Sequence, residues 1–170
     1  LQLSGLPAID HELGERFPRE FTKGLLLGTA AVAVLIYAAF RTLRYTVLAL
    51  APTAIGLAWS AGLLALAGVE LDLFSMFAAV TCIGIAVDYG LHVLHRYADE
   101  GAANVREALN RTGAALLVAC ATTLVGFGTM INSSYPPLRV FGIVSVVTLV
   151  CCFITSVFLL PAILIQAERS

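Results

Sequence analysis

LFSMFAAVTCIGIAVDYGLHVL, residues 73–94, decides how this chain folds. The stretch is apolar enough to cross a bilayer, yet it carries an acid, Asp88, and a histidine, His92. On an insertion scale its ten Leu, Ile, Val and Phe residues contribute roughly −3 to −6 kcal/mol, against roughly +2.5 to +3.5 kcal/mol for one Asp near a helix centre. Insertion wins, so the segment reads as a membrane helix that tolerates a costly residue. At 100° per residue, Thr81, Gly84, Asp88, His92 and His95 fall within an arc of about 80°. One narrow polar stripe therefore runs down an otherwise apolar helix. Asp88 lies about 24 Å along the helix from Asp72 and about 12 Å from Arg96, inside the membrane rather than at its edge.

The rest of the chain fits that setting. Of 170 residues, 59% are hydrophobic and 12% charged, whereas a soluble domain carries about 25% charged residues. An ordinary water-soluble globule is excluded. A net charge of −1, from ten basic and eleven acidic residues, leaves no electrostatic footprint for nucleic acid. Four uncharged stretches run for 17 residues or more, and a hydrocarbon span needs about 20 predominantly apolar residues. The expected fold is an all-α polytopic membrane helix bundle, with five transmembrane helices at about 24–40, 47–67, 73–94, 114–131 and 140–165. Pro52 falls one turn into the second span and Pro161 near the exit of the fifth, where a missing backbone donor is tolerated. Between the third and fourth spans, His95 to Arg111 is polar. Asn104 with Glu107 offers an N-cap and its partner, and Glu107 with Arg111 an i,i+4 pair, so a cytoplasmic amphipathic connector helix is expected there.

Residues 1–22 are mixed and charged and read as the end of an extracytoplasmic domain, with the transmembrane bundle occupying 23–170. Leu1 stands where a start methionine would, and no basic-then-apolar leader precedes the charged opening, so a piece of a longer protein is expected. The short loops place Arg41, Arg44, Arg96, Arg106, Arg111 and Arg169 on one side and Arg139 on the other. Arg16, Arg19 and Lys23 belong to the opening segment, whose charges barely influence orientation. The bias puts Leu1 outside and Ser170 in the cytoplasm.

Asp88 is the residue with the strongest chemical reading. Desolvation penalises a charged carboxylate in hydrocarbon and favours uptake of a proton until a cation or water arrives, which makes Asp88 a natural proton carrier. Tyr89 can relay a proton or hold the carboxyl oriented, and His92 extends the path toward the cytoplasm. The competing reading is structural: Asp88 hydrogen-bonds a neighbouring helix, and Tyr89 simply packs. A third reading takes Asp88, His92 and His95 as metal ligands of an intramembrane hydrolase, but they are strung along about 10 Å of one helix, where a zinc site wants convergent ligands. No metal or other cofactor is expected. Thr122, Thr123 and Thr129 offer hydroxyl partners to Asp88, although membrane threonines often bond their own backbone. Gly24 and Gly28 form a GxxxG pair, and Gly84, Ala86 and Gly90 thin the third helix around Asp88, allowing close helix approach or a wetted interface. Cys82, Cys120, Cys151 and Cys152 sit in apolar stretches with no CxxC pattern and read as packing residues. Asn132, Ser133 and Ser134 match a glycosylation acceptor too common to carry weight. No nucleophile elbow, phosphate loop or HExxH motif is present, and no enzymatic activity is expected.

GIAVDYGLHVLHRY, residues 84–97, resembles the signature helix of the resistance-nodulation-division (RND) superfamily, in its MMPL-like branch. There an Asp-Tyr pair takes the place of the two adjacent aspartates of drug-efflux pumps. SGLP at 4–7, ATTLVGF at 121–127, PPLRVFG at 136–142 and LPAIL at 160–164 follow in the expected order, so the resemblance covers nearly the whole chain. It implies two six-helix repeats, each with an extracytoplasmic domain after its first helix, and makes this chain the last five helices of the second. The proton-relay positions carry over onto Asp88 and Tyr89 only. The implied function is proton-motive-force-driven export of hydrophobic or lipid substrates across a bacterial inner membrane, together with the remaining half of the same transporter. GIAVDYGLHVLHRY with NSSYPP leans toward hopanoid-type lipid export. Sterol-sensing proteins share the same bundle, so a sterol- or lipid-sensing module without ion coupling is the alternative.

Overall fold

The computed structural model describes residues 23, 26–38, 41–69, 73–100 and 105–163. Its elements are α1 (Leu26–Ala38), α2 (Leu43–Leu66), α3 (Leu73–Glu100), α4 (Val105–Met130) and α5, which runs from Pro136 to Ile163. Among the described residues there is no strand. Four helices are long and apolar enough to cross a membrane, with spans Leu43–Leu66, Phe74–His95, Gly113–Met130 and Pro136–Ile163. The described part of α1 is apolar but shorter. Residues 24, 25, 39 and 40 of the expected first span, and residues 1–22 of the expected extracytoplasmic segment, lie outside the described residues.

Helix ends depart from the sequence expectation because a hydrogen-bonded ladder need not stop where hydrocarbon does. Adding a residue to an existing helix is far easier than nucleating a new one. Among the described residues, the polar stretch after the third span is helical and continuous with the spans on either side. Its residues extend α3 to Glu100 and begin α4 at Val105, with 101–104 outside the described residues. The turn that the expected spans leave at 41–46 contracts to Arg41 and Thr42. Arg41 adopts a left-handed backbone (φ 52°) and donates its N–H to the Tyr37 carbonyl at 2.7 Å. Because α2 starts at Leu43, Pro52 lies well inside it rather than one turn in. Its missing donor leaves a gap in the ladder opposite the Leu48 carbonyl. The other end of α2 closes by a Schellman arrangement: Gly68 (φ 67°) donates to Ala65 O at 3.1 Å and Val69 to Leu64 O at 3.0 Å. The fifth helix likewise begins earlier than expected, with Pro136 at its start and Tyr135 extended before it, a position where proline costs no hydrogen bond.

α5 is the centre of the bundle and packs on α2, α3 and α4. Half of its span is buried, against 11% of the α4 span, so α4 is peripheral. Buried positions recur on α5 as Gly142, Ser145, Leu149, Cys152 and Ser156, and on α2 as Thr46, Ala49, Thr53, Gly56, Ser60 and Leu64. Small and weakly polar side chains therefore line much of the α2–α5 seam, alongside buried Leu64, Leu149 and Leu160, while Leu27, Leu35, Leu66 and Phe158 point outward. This is the packing a hydrocarbon surround demands, since lipid tails offer no hydrophobic gain and close backbone approach supplies the attraction instead. Three glycines mark those approaches. A Cβ at Gly56 would sit 2.7 Å from Cys152 Cα, one at Gly90 2.7 Å from Ala49 O, and one at Gly142 2.9 Å from Phe127 O. At Gly28 a Cβ would meet nothing within 4 Å, and Gly24 lies outside the described residues. The four cysteines are unbridged and buried; Cys82 Sγ approaches Ser145 O at 3.7 Å and Cys152 Sγ approaches Thr53 O at 3.9 Å.

Near its end α5 loosens into a π-helical turn, Thr155–Leu159, where the Leu160 N–H reaches back to Thr155 O. Pro161 supplies the cause. It has no N–H to donate, and in a regular helix its ring would crowd the Val157 carbonyl. Widening the preceding turn relieves both problems.

Candidate functional site

The polar stripe of α3 meets α4 at a cleft of about 420 Å³ lined by Ile85, Asp88, Tyr89, His92, Ala115, Leu116, Ala119 and Thr123. α3 contributes four consecutive-turn positions, and α4 contributes Ala115, Ala119 and Thr123 at i, i+4 and i+8. Small side chains at the first two of these positions leave the space into which Asp88 and His92 project. Both are exposed on the chain surface, one helical turn apart, with Cβ atoms separated by about 6 Å. No Lys or Arg is among the described residues lining the cleft.

Tyr89 behaves differently from its neighbour. It borders the cleft, yet it is 3% exposed and its ring packs edge-to-face on Phe153 of α5, with centroids 5.8 Å apart at 89°. Its hydroxyl is buried without a hydrogen-bond partner among the described residues. The Asp-Tyr pair thus divides its labour by position: the acid faces the cleft and the phenol is lodged in the core.

The other expected site residues separate on inspection. Thr123 lines the cleft, with its hydroxyl donating to Ala119 O at 2.9 Å. Thr122 is exposed, outside the lining, and bonds the same carbonyl at 2.9 Å. Thr129 bonds Gly126 O at 2.7 Å. Gly84 is exposed, and a Cβ there would meet nothing within 4 Å; the close approach on α3 belongs to Gly90, whose neighbour is α2. His95 shares the helical arc but is not part of the lining. Ile85, Ala115, Leu116 and Ala119 enter the site without having been singled out in the sequence. The i,i+4 spacing of Ala115, Ala119 and Thr123 is the signal that marks the α4 wall.

The arrangement places one acid and one imidazole on the same cleft wall, beside a hydroxyl already engaged with its own helix.

A family model for MMPL matches residues 1–170. A protein of Methanocaldococcus jannaschii, named as a candidate membrane protein, is 25% identical over 172 residues, covering 98% of this chain and 44% of its own. The chain thus spans less than half the length of that relative. No solved structure matches.

Proposed function

We propose, from the premise that the chain belongs to the MMPL family, that it forms transmembrane helices of a proton-driven RND/MMPL-type exporter of hydrophobic or lipid molecules. The observation that carries this reading is the pairing of Asp88 and His92 on one cleft inside a membrane span. An ionisable residue at that depth is costly and has to be repaid by function or by a partner. In this reading Asp88 takes up a proton from the extracytoplasmic side, and His92, one turn further along, receives it toward the cytoplasm. Tyr89 holds the carboxyl side of α3 against the core. The loss and gain of charge at Asp88 shifts the balance between two helix arrangements, and the remaining half of the transporter, with its extracytoplasmic domains, converts that shift into movement of substrate. Leu1 then lies outside and Ser170 in the cytoplasm of a bacterial inner membrane, and α1 forms the first of the five spans.

Cells producing the full-length protein and loaded with the hydrophobic dye Nile red test the coupling. Efflux should stop when a protonophore collapses the proton gradient. Efflux that continues at the same rate after collapse would overturn proton coupling, and dye binding without efflux would favour a lipid-sensing module.

A further inference from the structure

We propose that Phe153 and Thr155 of α5 link the charge state of Asp88 to the proline break in α2, making the crossing of these helices the part of the bundle that yields when the site changes. The proposal rests on the reading of Asp88 as a group that changes charge.

Three observations converge on this crossing. First, Tyr89 touches both places: it borders the cleft beside Asp88 and His92, and its ring rests on Phe153. A displacement of α3 at Asp88 is therefore delivered to α5 at Phe153. Second, Phe153 lies two residues before the π-helical turn Thr155–Leu159. The Thr155 hydroxyl donates across to Pro52 O of α2 at 2.7 Å, with its own Cys152 and Cys151 carbonyls at 3.0 and 3.1 Å. One hydroxyl hydrogen thus faces three acceptors, and the interhelical bond can be exchanged for an intrahelical one with no loss of a partner. Third, both helices are irregular at this depth. Pro52 breaks the ladder of α2, and the π turn widens that of α5. Such positions bend without breaking further hydrogen bonds.

Regular helix lies to either side. Nearby, the backbones of α2 and α5 are in close contact through Gly56 against Cys152, and those of α2 and α3 through Gly90 against Ala49, so α2 has little room to shift as a rigid body. Bending at Pro52 and at the π turn is the movement left open, and the Thr155 hydroxyl is the switchable contact between them. Phe153 and Thr155 are positioning residues in this scheme, since neither reaches the cleft.

Hydrogen–deuterium exchange on the full-length protein in lipid nanodiscs tests the link without requiring a known substrate. Asp88→Asn serves as the permanently neutral site and is compared with the unaltered protein at one pH. Exchange in segments 48–56 and 150–160 should rise by about fivefold or more when the site is neutral, the lower range of allosteric couplings. The same comparison in a Thr155→Val background should lose the difference, and Thr155→Ser, which keeps the hydroxyl, should restore it. Phe153→Leu removes the ring by a different route and should also uncouple the segments. The link is overturned if Asp88→Asn leaves both segments unchanged, or if the difference survives in Thr155→Val. A failure of proton-driven export is recognised separately, by efflux that persists in Asp88→Asn.

Discussion

Asp88→Asn should cut Nile red efflux from cells making the full-length protein by about 100-fold or more, in line with loss of a positioned proton-transfer group, while the protein still inserts and folds. Asn matches Asp in shape and fits the same cleft, but it is neutral at every pH and cannot alternate between two charge states. Because the native residue faces the cleft rather than the core, the exchange removes no buried contact. Loss of transport with an unchanged melting temperature would thus separate chemistry from folding. Tyr89→Phe should have a smaller effect, about tenfold at most, because the ring contact with Phe153 is kept and only one hydroxyl is lost. Undiminished efflux in Asp88→Asn would remove the carboxyl from the mechanism altogether.

Gly56→Leu should be the most damaging change to the bundle itself. Even a Cβ at this position would lie 2.7 Å from Cys152 Cα, 2.8 Å from its Sγ and 2.9 Å from its N. Backbone atoms cannot rotate away as a long side chain can, so α2 and α5 would have to part. Parting them also breaks the Thr155 to Pro52 hydrogen bond and moves the helix on which α3 and α4 rest. A destabilisation of about 3 kcal/mol or more is expected, the upper range for an overpacked core. Thermal unfolding in detergent, followed by Trp59 fluorescence, would measure it. Gly62→Leu on the same helix is the control, since a Cβ there meets nothing within 4 Å. Equal melting temperatures for the two variants would mean that the α2–α5 crossing is drawn wrongly.

Much of this arrangement is legible in the sequence, and for a definite reason. Asp88 stands out because it violates the composition of its span, and helical periodicity then assigns Gly84, His92 and His95 to the same face. Periodicity gives a face but not what lies against it. Gly84 and Gly90 look alike in the text, yet only Gly90 is pressed on another backbone, and His95 shares the arc without joining the cleft. Thr122 and Thr123 are adjacent and chemically identical, and one helical step of 100° decides which of them borders the site. Helix ends are less legible, for a different reason. Hydropathy marks where hydrocarbon ends, whereas the ladder continues until a proline, a glycine or a cap interrupts it, as at Gly68 and Pro136. The π turn depends on Pro161, which the sequence marks as tolerable near a helix exit; its effect on the preceding turn shows only once the carbonyl it would crowd is located.

Because small residues bring the helices together, the four thiols end up sealed between them, none on the lipid-facing side. The chain therefore carries its own gauge of integrity. A thiol-alkylating reagent dissolved in the bilayer finds no thiol of this chain to attack while the helices stay together, and each modification it does make dates a moment when they came apart.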